Sequence, residues 1–171
     1  CAAGFGENLR DCGGQRGLAV VNVTDGADIA VRLGPLKFSL GHCSNLLFVC
    51  VQNAGRSQMA MAFMQQFAAG KVRVLSAGSM PAAEISAKTI EVMKEVGVSL
   101  EDAFPKPLTD DVVRAADIVI TMGCGDACPL YPGKKYLDWD LKDPAELDLD
   151  GVRAVRDEIR EKVQALLKEI I

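Results

Sequence analysis

The segment from Cys50 to Ser57 reads Cys-Val-Gln-Asn-Ala-Gly-Arg-Ser and places a thiol, a guanidinium and a hydroxyl at short spacing. Five residues between Cys50 and Arg56 form an arc that can turn its backbone N–H groups toward one centre, where an oxyanion would bind. Arg56 would hold two oxygens of that anion in a bidentate fork, and the same positive field would stabilise a Cys50 thiolate. Ser57 would donate a hydrogen bond to the thiolate and cap the next helix. The predicted oxyanion-binding residues are Val51, Gln52, Asn53, Ala54, Gly55, Arg56 and Ser57.

A second pair of thiols lies in a Gly-rich segment, Gly-Cys-Gly-Asp-Ala-Cys-Pro, which contains Cys124 and Cys128. A pair four residues apart in a loop that can move suits successive thiol–disulfide exchange better than metal binding. Zinc needs about four ligands, and the single histidine, His42, is far away in the sequence. No export signal accompanies the six cysteines, so we expect reduced thiols and no metal site.

The elements that must position these residues alternate between strand and helix. A short apolar run predicts a strand buried on both faces at residues 46–51, and further strands are predicted at residues 72–77, 117–122 and 135–140. Apolar periodicity and capping signals predict helices at residues 57–69, 86–96 and 109–116, and a long helix from about residue 149. This alternation implies an α/β fold, a three-layer sandwich with a four-stranded parallel sheet between helices. Ligands of such sheets bind beyond the carboxyl ends of the strands, where the Cys50 loop lies.

Composition and charge exclude several classes of protein. The chain has 171 residues, of which 49% are hydrophobic and 25% charged, as in an ordinary globular domain. A net charge of −4 without a basic stripe argues against nucleic acid as a partner. No apolar run approaches the roughly 18 residues that cross a bilayer, and no signal peptide is recognisable. We therefore expect a cytoplasmic protein that does not bind membranes.

Residues 1–45 have a different character from the rest. They are rich in glycine and turn signals, and they begin with Cys1 rather than Met, which we interpret as a fragment or a processed product. Their two short apolar stretches lack a helix of useful length. We expect residues 1–45 to be an atypical N-terminal extension, poorly ordered or loosely packed, before a catalytic domain at residues 46–171.

The Cys-x5-Arg-Ser loop and a later Asp-Pro pair give residues 46–171 a family resemblance. This part of the chain resembles the low-molecular-weight protein tyrosine phosphatase superfamily, and within it the arsenate reductases that share the low-molecular-weight phosphatase fold. The resemblance implies that Cys50 is the nucleophile, Asn53 shapes the loop, Arg56 binds the oxyanion, Ser57 stabilises the thiolate, and Asp143 before Pro144 is the acid. An acid is needed because hydroxide or alkoxide leaves poorly unless it is protonated.

Two features separate a reductase from a phosphatase. Phosphatases of this family carry Pro after the loop Ser and aromatic residues after the Asp-Pro pair, whereas this chain has Gln58 and Ala145 there. The Cys124–Cys128 segment resembles the relay of thioredoxin-coupled arsenate reductases. By that resemblance Cys50 attacks arsenate, Cys124 attacks Cys50 and releases arsenite, and Cys128 carries the final disulfide to the surface. The alternatives are a tyrosine phosphatase that acts through a phosphocysteine, and a non-enzymatic anion-binding or redox-sensing module.

The resemblance also implies the partners. The substrate is arsenate or a phosphate-like oxyanion, the role is arsenic detoxification, and some residual phosphatase activity is expected. No cofactor is bound, and the reductant is an external thiol, either thioredoxin or mycothiol with mycoredoxin. The interval between Cys124 and Cys128 is shorter than in most thioredoxin-coupled members, which leaves the reductant open. We expect a monomer.

Overall fold

The computed structural model describes residues 44–123 and 128–170. Its strands are β1 (Asn45–Cys50), β2 (Arg73–Gly78), β3 (Ile118–Thr121) and β4 (Lys135–Asp138). Its helices are α1 (Arg56–Ala68), α2 (Ala87–Glu95), α3 (Asp110–Ala115) and α4 (Leu149–Ile170), with a short 3-10 helix at Pro144–Glu146. Within this part of the chain the strands form one parallel sheet in the order β2-β1-β3-β4.

Strand β1 is apolar along almost its whole length because both faces of the sheet are covered. Successive side chains of a strand point to opposite faces. Leu46 and Phe48 join the apolar cluster formed with α1, α2 and α4, whereas Leu47 and Val49 join a smaller cluster with Val113 of α3. The part of the chain that the structure describes is therefore a three-layer α/β sandwich, as predicted.

Helix α4 closes the larger of the two apolar clusters. Its buried side chains recur at helical spacing, and the remaining positions are mostly charged. The buried residues are Val152, Val155, Arg156, Ile159, Val163 and Leu166. Helix α4 is thus held mainly by one apolar stripe, which packs into the cluster that also contains α1 and α2.

The predicted order of strands and helices is confirmed, with one difference that concerns the site. Helix α1 begins at Arg56, and its N-cap residue is Gly55, which provides no side-chain cap. The prediction that Ser57 caps this helix is wrong, because Ser57 lies inside the first turn and its hydroxyl contacts Cys50 instead. Thr109, by contrast, caps α3 as predicted and accepts a hydrogen bond from Val112 N at 3.4 Å.

Some predictions concern residues beyond this description. Those for residues 1–43 and for Cys124 lie outside the described residues and stay predictions. Within the ranges 44–123 and 128–170, no helix is both long and apolar enough to cross a membrane.

Candidate active site

The loop between β1 and α1 is held from outside through its carbonyl groups. Four backbone N–H groups of residues 79–86, the segment that follows β2, donate to these carbonyls. Ser79 N donates to Cys50 O at 3.2 Å, Met80 N to Val51 O at 2.9 Å, Ala82 N to Gln52 O at 2.9 Å, and Ser86 N to Ala54 O at 3.1 Å. Four peptide groups of the loop are thereby fixed with their oxygens turned toward residues 79–86.

The N–H groups of the same peptides point the other way. In a planar trans peptide the N–H is directed opposite to the C=O, so the amides of Val51, Gln52, Asn53 and Gly55 face the inside of the loop. The Asn53 amide shows the direction directly, because it donates to Cys50 Sγ at 3.2 Å. The helix dipole of α1 adds a partial positive charge to this region, because the amino end of the helix lies there. The backbone can therefore hold an oxyanion beside the Cys50 sulfur.

The Cys50 sulfur is buried, at 2% exposure, and is surrounded by hydrogen-bond donors. Ser57 Oγ lies 2.9 Å from Cys50 Sγ, and Asn53 Nδ2 lies 2.7 Å from Ser57 Oγ. Donors directed at sulfur favour the thiolate over the thiol, because hydrogen bonds to a charged acceptor are stronger. The environment of Cys50 is thus suited to a nucleophilic sulfur.

Asn53 and Gly78 fix the shape of the loop together. Asn53 has a left-handed backbone with φ of 50°, a conformation that Asn adopts more readily than most residues. A Cβ atom on Gly78 would lie 2.6 Å from Val51 O and 2.9 Å from Asn53 N. Since such contacts are too short for real carbon atoms, only glycine at the end of β2 allows the loop to pack against the sheet edge.

Arg56 and Asp143 form an ion pair although 87 positions separate them. Arg56 Nη2 donates to Asp143 Oδ2 at 2.8 Å, and Arg56 Nη1 donates to Leu141 O at 3.3 Å. Ala145 N donates to Asp143 Oδ1 at 3.0 Å. The side chain of Arg56 is 8% exposed and that of Asp143 is 57% exposed. The guanidinium is thus held inside the site, and the carboxylate faces the solvent.

Cys50, Arg56 and Asp143 line one cavity of about 260 Å³. The other lining residues are Gln52, Ala54, Gly55, Ala82, Glu84, Ser86, Pro144 and Ala145. None of these walls is aromatic, so a phenyl ring bound here would have no aromatic partner among the described residues. The same part of the chain contains no group of three or more His, Cys, Asp or Glu that could hold a metal ion. The cavity combines a thiol, a guanidinium and a carboxyl group, which suits attack by sulfur on a small oxyanion.

The structure separates Cys128 from this cavity. Cys128 is 7% exposed and lines a second cavity of about 730 Å³, together with Thr121, Gly123 and Tyr136. The family resemblance implied that Cys128 brings a disulfide to the surface, and in this structure its side chain is buried. Both cavities lie at the carboxyl ends of strands, the first beyond β1 and the second beyond β3 and β4.

Gly123, which precedes Cys124, packs against the oxyanion site. It has φ of 73°, and a Cβ atom there would lie 2.8 Å from Arg56 Nη1. A side chain at this position would displace the guanidinium, so the contact requires glycine. The chain therefore passes next to Arg56 one residue before Cys124.

Sequence reasoning missed the role that Gln58 has in the packing of the loop. It treated Gln58 only as a position where related phosphatases have proline. In the structure Gln58 is 0% exposed, and its amide reaches Phe104 O, 46 positions away, at 2.9 Å. A polar residue within the apolar run of α1 was the available signal, but its partner could not be identified from spacing.

These features define a class of proteins that bind an oxyanion beside a reactive thiol, at the carboxyl edge of a parallel sheet. The low molecular weight phosphotyrosine protein phosphatase family matches residues 45–171 of the chain. The chain belongs to this family.

Relatives of the chain include named arsenate reductases. The chain is 37% identical over 127 residues to a putative arsenate reductase of Halobacterium salinarum, with 71% of this chain and 89% of that protein covered. It is 33% identical over 128 residues to the glutaredoxin arsenate reductase of Synechocystis sp., with 73% of this chain and 97% of that protein covered.

One solved structure resembles this chain at a higher sequence identity than these two relatives do. The thioredoxin-dependent arsenate reductase of Corynebacterium glutamicum superposes with a TM-score of 0.67 at 52% sequence identity. The match covers 75% of this chain and 62% of that chain. This chain therefore spans less than two thirds of the length of that protein.

Proposed function

We propose that the chain is an arsenate reductase, which converts arsenate to arsenite through a Cys50 adduct and a thiol–disulfide relay. The loop after β1 is the observation that carries this proposal, because its inward amides, the Cys50 sulfur and the Arg56 guanidinium surround one place for an oxyanion. The relatives named as arsenate reductases support the same reaction.

In the first step, arsenate binds to the loop amides and to the Arg56 guanidinium. The Cys50 thiolate attacks arsenic, and one oxygen leaves as water after Asp143 has protonated it. Asp143 suits this role because it lines the cavity on its solvent side, next to Arg56. Without a proton donor the departing hydroxide would be a poor leaving group. The product is an arsenic(V) adduct on the Cys50 sulfur.

In the relay, the Cys124 thiolate attacks the Cys50 sulfur. The sulfur–arsenic bond breaks, its electron pair remains on arsenic, and arsenite leaves as arsenic(III) while a Cys50–Cys124 disulfide forms. Cys128 then attacks Cys124, which frees Cys50 and leaves a Cys124–Cys128 disulfide. The contact of Gly123 with Arg56 supports the first exchange. In the second exchange the attacking Cys128 side chain starts from a buried position.

An external thiol reductant completes the cycle, and we infer that it is thioredoxin. The structure at 52% identity is described as thioredoxin-dependent, whereas the Synechocystis relative at 33% identity is described as a glutaredoxin arsenate reductase. Mycothiol with mycoredoxin is the other reductant to compare. The cytoplasmic location and the monomeric state stay predictions.

A coupled assay tests the proposal. Arsenite is measured over many turnovers with thioredoxin, thioredoxin reductase and NADPH, and in parallel with mycothiol and mycoredoxin. We expect no arsenite from Cys50→Ser and no multiple turnover from Cys124→Ser. The matched control is Cys12→Ser, which lies outside the family match at residues 45–171 and should behave as the wild type. Undiminished turnover by Cys124→Ser would remove the relay from the mechanism.

The family match favours a second candidate, a phosphatase that hydrolyses phosphomonoesters through a phosphocysteine. The same loop and the same acid would serve it, but the cavity offers no aromatic wall to a phenyl ring. Rapid hydrolysis of p-nitrophenyl phosphate without any arsenate reduction would favour the phosphatase over the reductase.

A further inference from the structure

Gln58 lies directly behind the oxyanion loop, in the first turn of α1, and is 0% exposed. Its Nε2 donates to Asn53 O at 3.1 Å, to Asn53 Oδ1 at 2.9 Å and to Phe104 O at 2.9 Å. Two hydrogens are thus shared among three oxygens. Because all three hydrogen-bond partners of this nitrogen are acceptors, the orientation of the Gln58 amide is defined.

The other end of the same amide is left unused. Gln58 Oε1 is buried and has no hydrogen-bond partner among the residues that the structure describes. A buried acceptor without a partner costs stability. The amide of Gln58 therefore contributes through the hydrogen bonds that its NH₂ group donates.

The Gln58 donors determine which way the Asn53 side chain is turned. Asn53 Oδ1 accepts from Gln58 Nε2 at 2.9 Å and from Lys106 N at 2.8 Å. If the amide were reversed, its NH₂ group would face two donors. Asn53 Nδ2 is consequently directed at Ser57 Oγ, to which it donates at 2.7 Å.

The orientation of the Asn53 amide determines the direction of the hydrogen bond between Ser57 and Cys50. Ser57 Oγ already accepts a hydrogen from Asn53, so its own hydrogen is available to Cys50 Sγ, 2.9 Å away. The hydrogen bonds then run in one direction, from Gln58 to Asn53, from Asn53 to Ser57, and from Ser57 to the sulfur. Each member of the chain is buried, where such bonds are stronger than in water.

We propose that Gln58 is a positioning residue that sets the direction of this hydrogen-bond chain and so keeps the Ser57 hydroxyl hydrogen directed at the Cys50 sulfur. The proposal rests on the proposed function only in taking Cys50 as the nucleophile. Gln58 is not among the residues that line the Cys50 cavity, and it acts through Asn53 and Ser57. Substitution of Gln58 therefore changes the hydrogen bonding of the Cys50 sulfur but replaces none of the residues that line the cavity.

Two substitutions test the chain. Gln58→Met keeps the length of the side chain and removes both donors, so the Asn53 amide loses one of the two groups that orient it. Gln58→Glu keeps the shape but turns carboxylate oxygens toward three acceptors. The matched control is Gln65→Met, the same change at an exposed position of the same helix.

The measurement is the rate at which iodoacetamide alkylates Cys50 between pH 5 and pH 9, followed by mass spectrometry of the Cys50 peptide so that the other cysteines do not interfere. We expect both Gln58 variants to react about tenfold more slowly at pH 7, with the pH profile displaced to higher pH, because thiolate is the reacting form. Gln65→Met should match the wild type. In a Ser57→Ala background, Gln58→Met should add little, because the chain is already interrupted.

An unchanged alkylation profile in a Gln58→Met variant that still melts cooperatively would overturn the proposal. If Gln58→Met does not melt cooperatively, Gln58→Glu decides by the same criterion. A full effect of Gln58→Met in the Ser57→Ala background would also overturn it, because Gln58 would then act by another route. The alkylation assay uses no arsenate, so failure of the proposed function would appear as absent arsenate reduction with this result unaffected.

Discussion

Arg56 is a buried positive charge whose partner is at the surface. Its side chain is 8% exposed, and that of Asp143 is 57% exposed, with 2.8 Å between Arg56 Nη2 and Asp143 Oδ2. An incoming oxyanion would compete with Asp143 for the guanidinium. Such an exchange would free the carboxyl group beside the bound anion, where an acid is needed.

Substitution of Asp143 should therefore affect chemistry more than binding. We expect Asp143→Asn to lower kcat for arsenate reduction by about two orders of magnitude, because general acid catalysis contributes at least that much. The affinity for phosphate, measured as an inhibition constant, should stay equal or rise, since the competing carboxylate is gone. Asp140→Asn, an exposed carboxylate on the same loop, is the control. Wild-type kcat in Asp143→Asn would show that another group is the acid.

At the scale of residues, the sequence was sufficient to predict contacts between side chains that are close along the chain. Cys50, Arg56 and Ser57 lie in one short segment, from the end of β1 to the first turn of α1, so their spacing predicted that they meet. The contacts of Gln58 with Phe104 and of Gly123 with Arg56 join distant segments. Such contacts depend on how whole elements pack, and a local pattern does not contain that information.

At the scale of elements, the end of β2 shapes the loop after β1. Gly78 N donates to Lys106 O and Leu108 N donates to Gly78 O, each at 2.8 Å. These bonds hold Gly78 against the loop, where a Cβ atom would lie 2.6 Å from Val51 O. The backbone at Gly78 cannot move away without loss of both bonds.

Gly78→Ala should consequently displace the Val51 carbonyl and the Asn53 amide. We expect phosphate to bind at least about tenfold more weakly, because the loop amides no longer share one focus, and we expect a lower melting temperature. Isothermal titration with phosphate and a thermal melt measure these effects. The control is Ser79→Ala, which keeps the adjacent backbone N–H to Cys50 O. Unaltered phosphate affinity in Gly78→Ala would contradict the claim that a Cβ atom at this position displaces the loop.

Helices α2 and α4 are connected by an ion-pair network around Glu95. Arg153 Nη2 lies 2.6 Å from Glu95 Oε1, and Arg156 Nη1 lies 3.2 Å from Glu95 Oε2. The hydrogen bond from Arg153 lowers the pKa of Glu95 below its ordinary value. Because the carboxylate is more acidic in the folded state, its ionised form favours folding.

The pH dependence of this contribution has a definite sign. It is complete above the pKa of an unfolded glutamate, about 4.5, and is lost as the pH falls through the lower value of the folded protein. Glu95→Gln should thus lower the melting temperature slightly at pH 7, and by less at pH 3. Glu91→Gln, an exposed carboxylate on the same helix, should have no effect at either pH. An equal loss for Glu95→Gln at both pH values would contradict this account.

Element order was predictable because apolar runs and helical periodicity are local, and the buried β1 and amphipathic α4 are clear examples. The start of α1 was less predictable. Ser57 is a good cap by residue type, yet Gly55 is the N-cap residue, and the Ser57 hydroxyl contacts the Cys50 sulfur instead. A tertiary contact overrode a local preference.

At the scale of the whole molecule, strand order explains where the site forms. The chain passes from β1 to β2 on one side, and β3 then lies on the other side of β1. Connections that diverge from one strand leave a crevice at its carboxyl end, and ligands of open α/β sheets bind there. The Cys50 loop occupies this position.

We propose that the catalytic domain acts without the preceding residues. The family match covers residues 45–171 and contains every proposed site residue. A variant that lacks residues 1–42 should keep the melting temperature and kcat of the full chain within experimental error. Circular dichroism and the coupled arsenate assay test this. A large loss of either would assign a structural or catalytic role to the N-terminal residues.

The most direct test of the relay is the yield of arsenite when no external reductant is present. Fully reduced protein is mixed with excess arsenate, and both arsenite and the remaining thiols are counted. Reduction of arsenic(V) to arsenic(III) consumes two electrons, so the account predicts about one arsenite per chain and the loss of about two thiols. Cys50→Ser should give none. Release of no arsenite by reduced wild-type protein that still hydrolyses p-nitrophenyl phosphate would contradict the account.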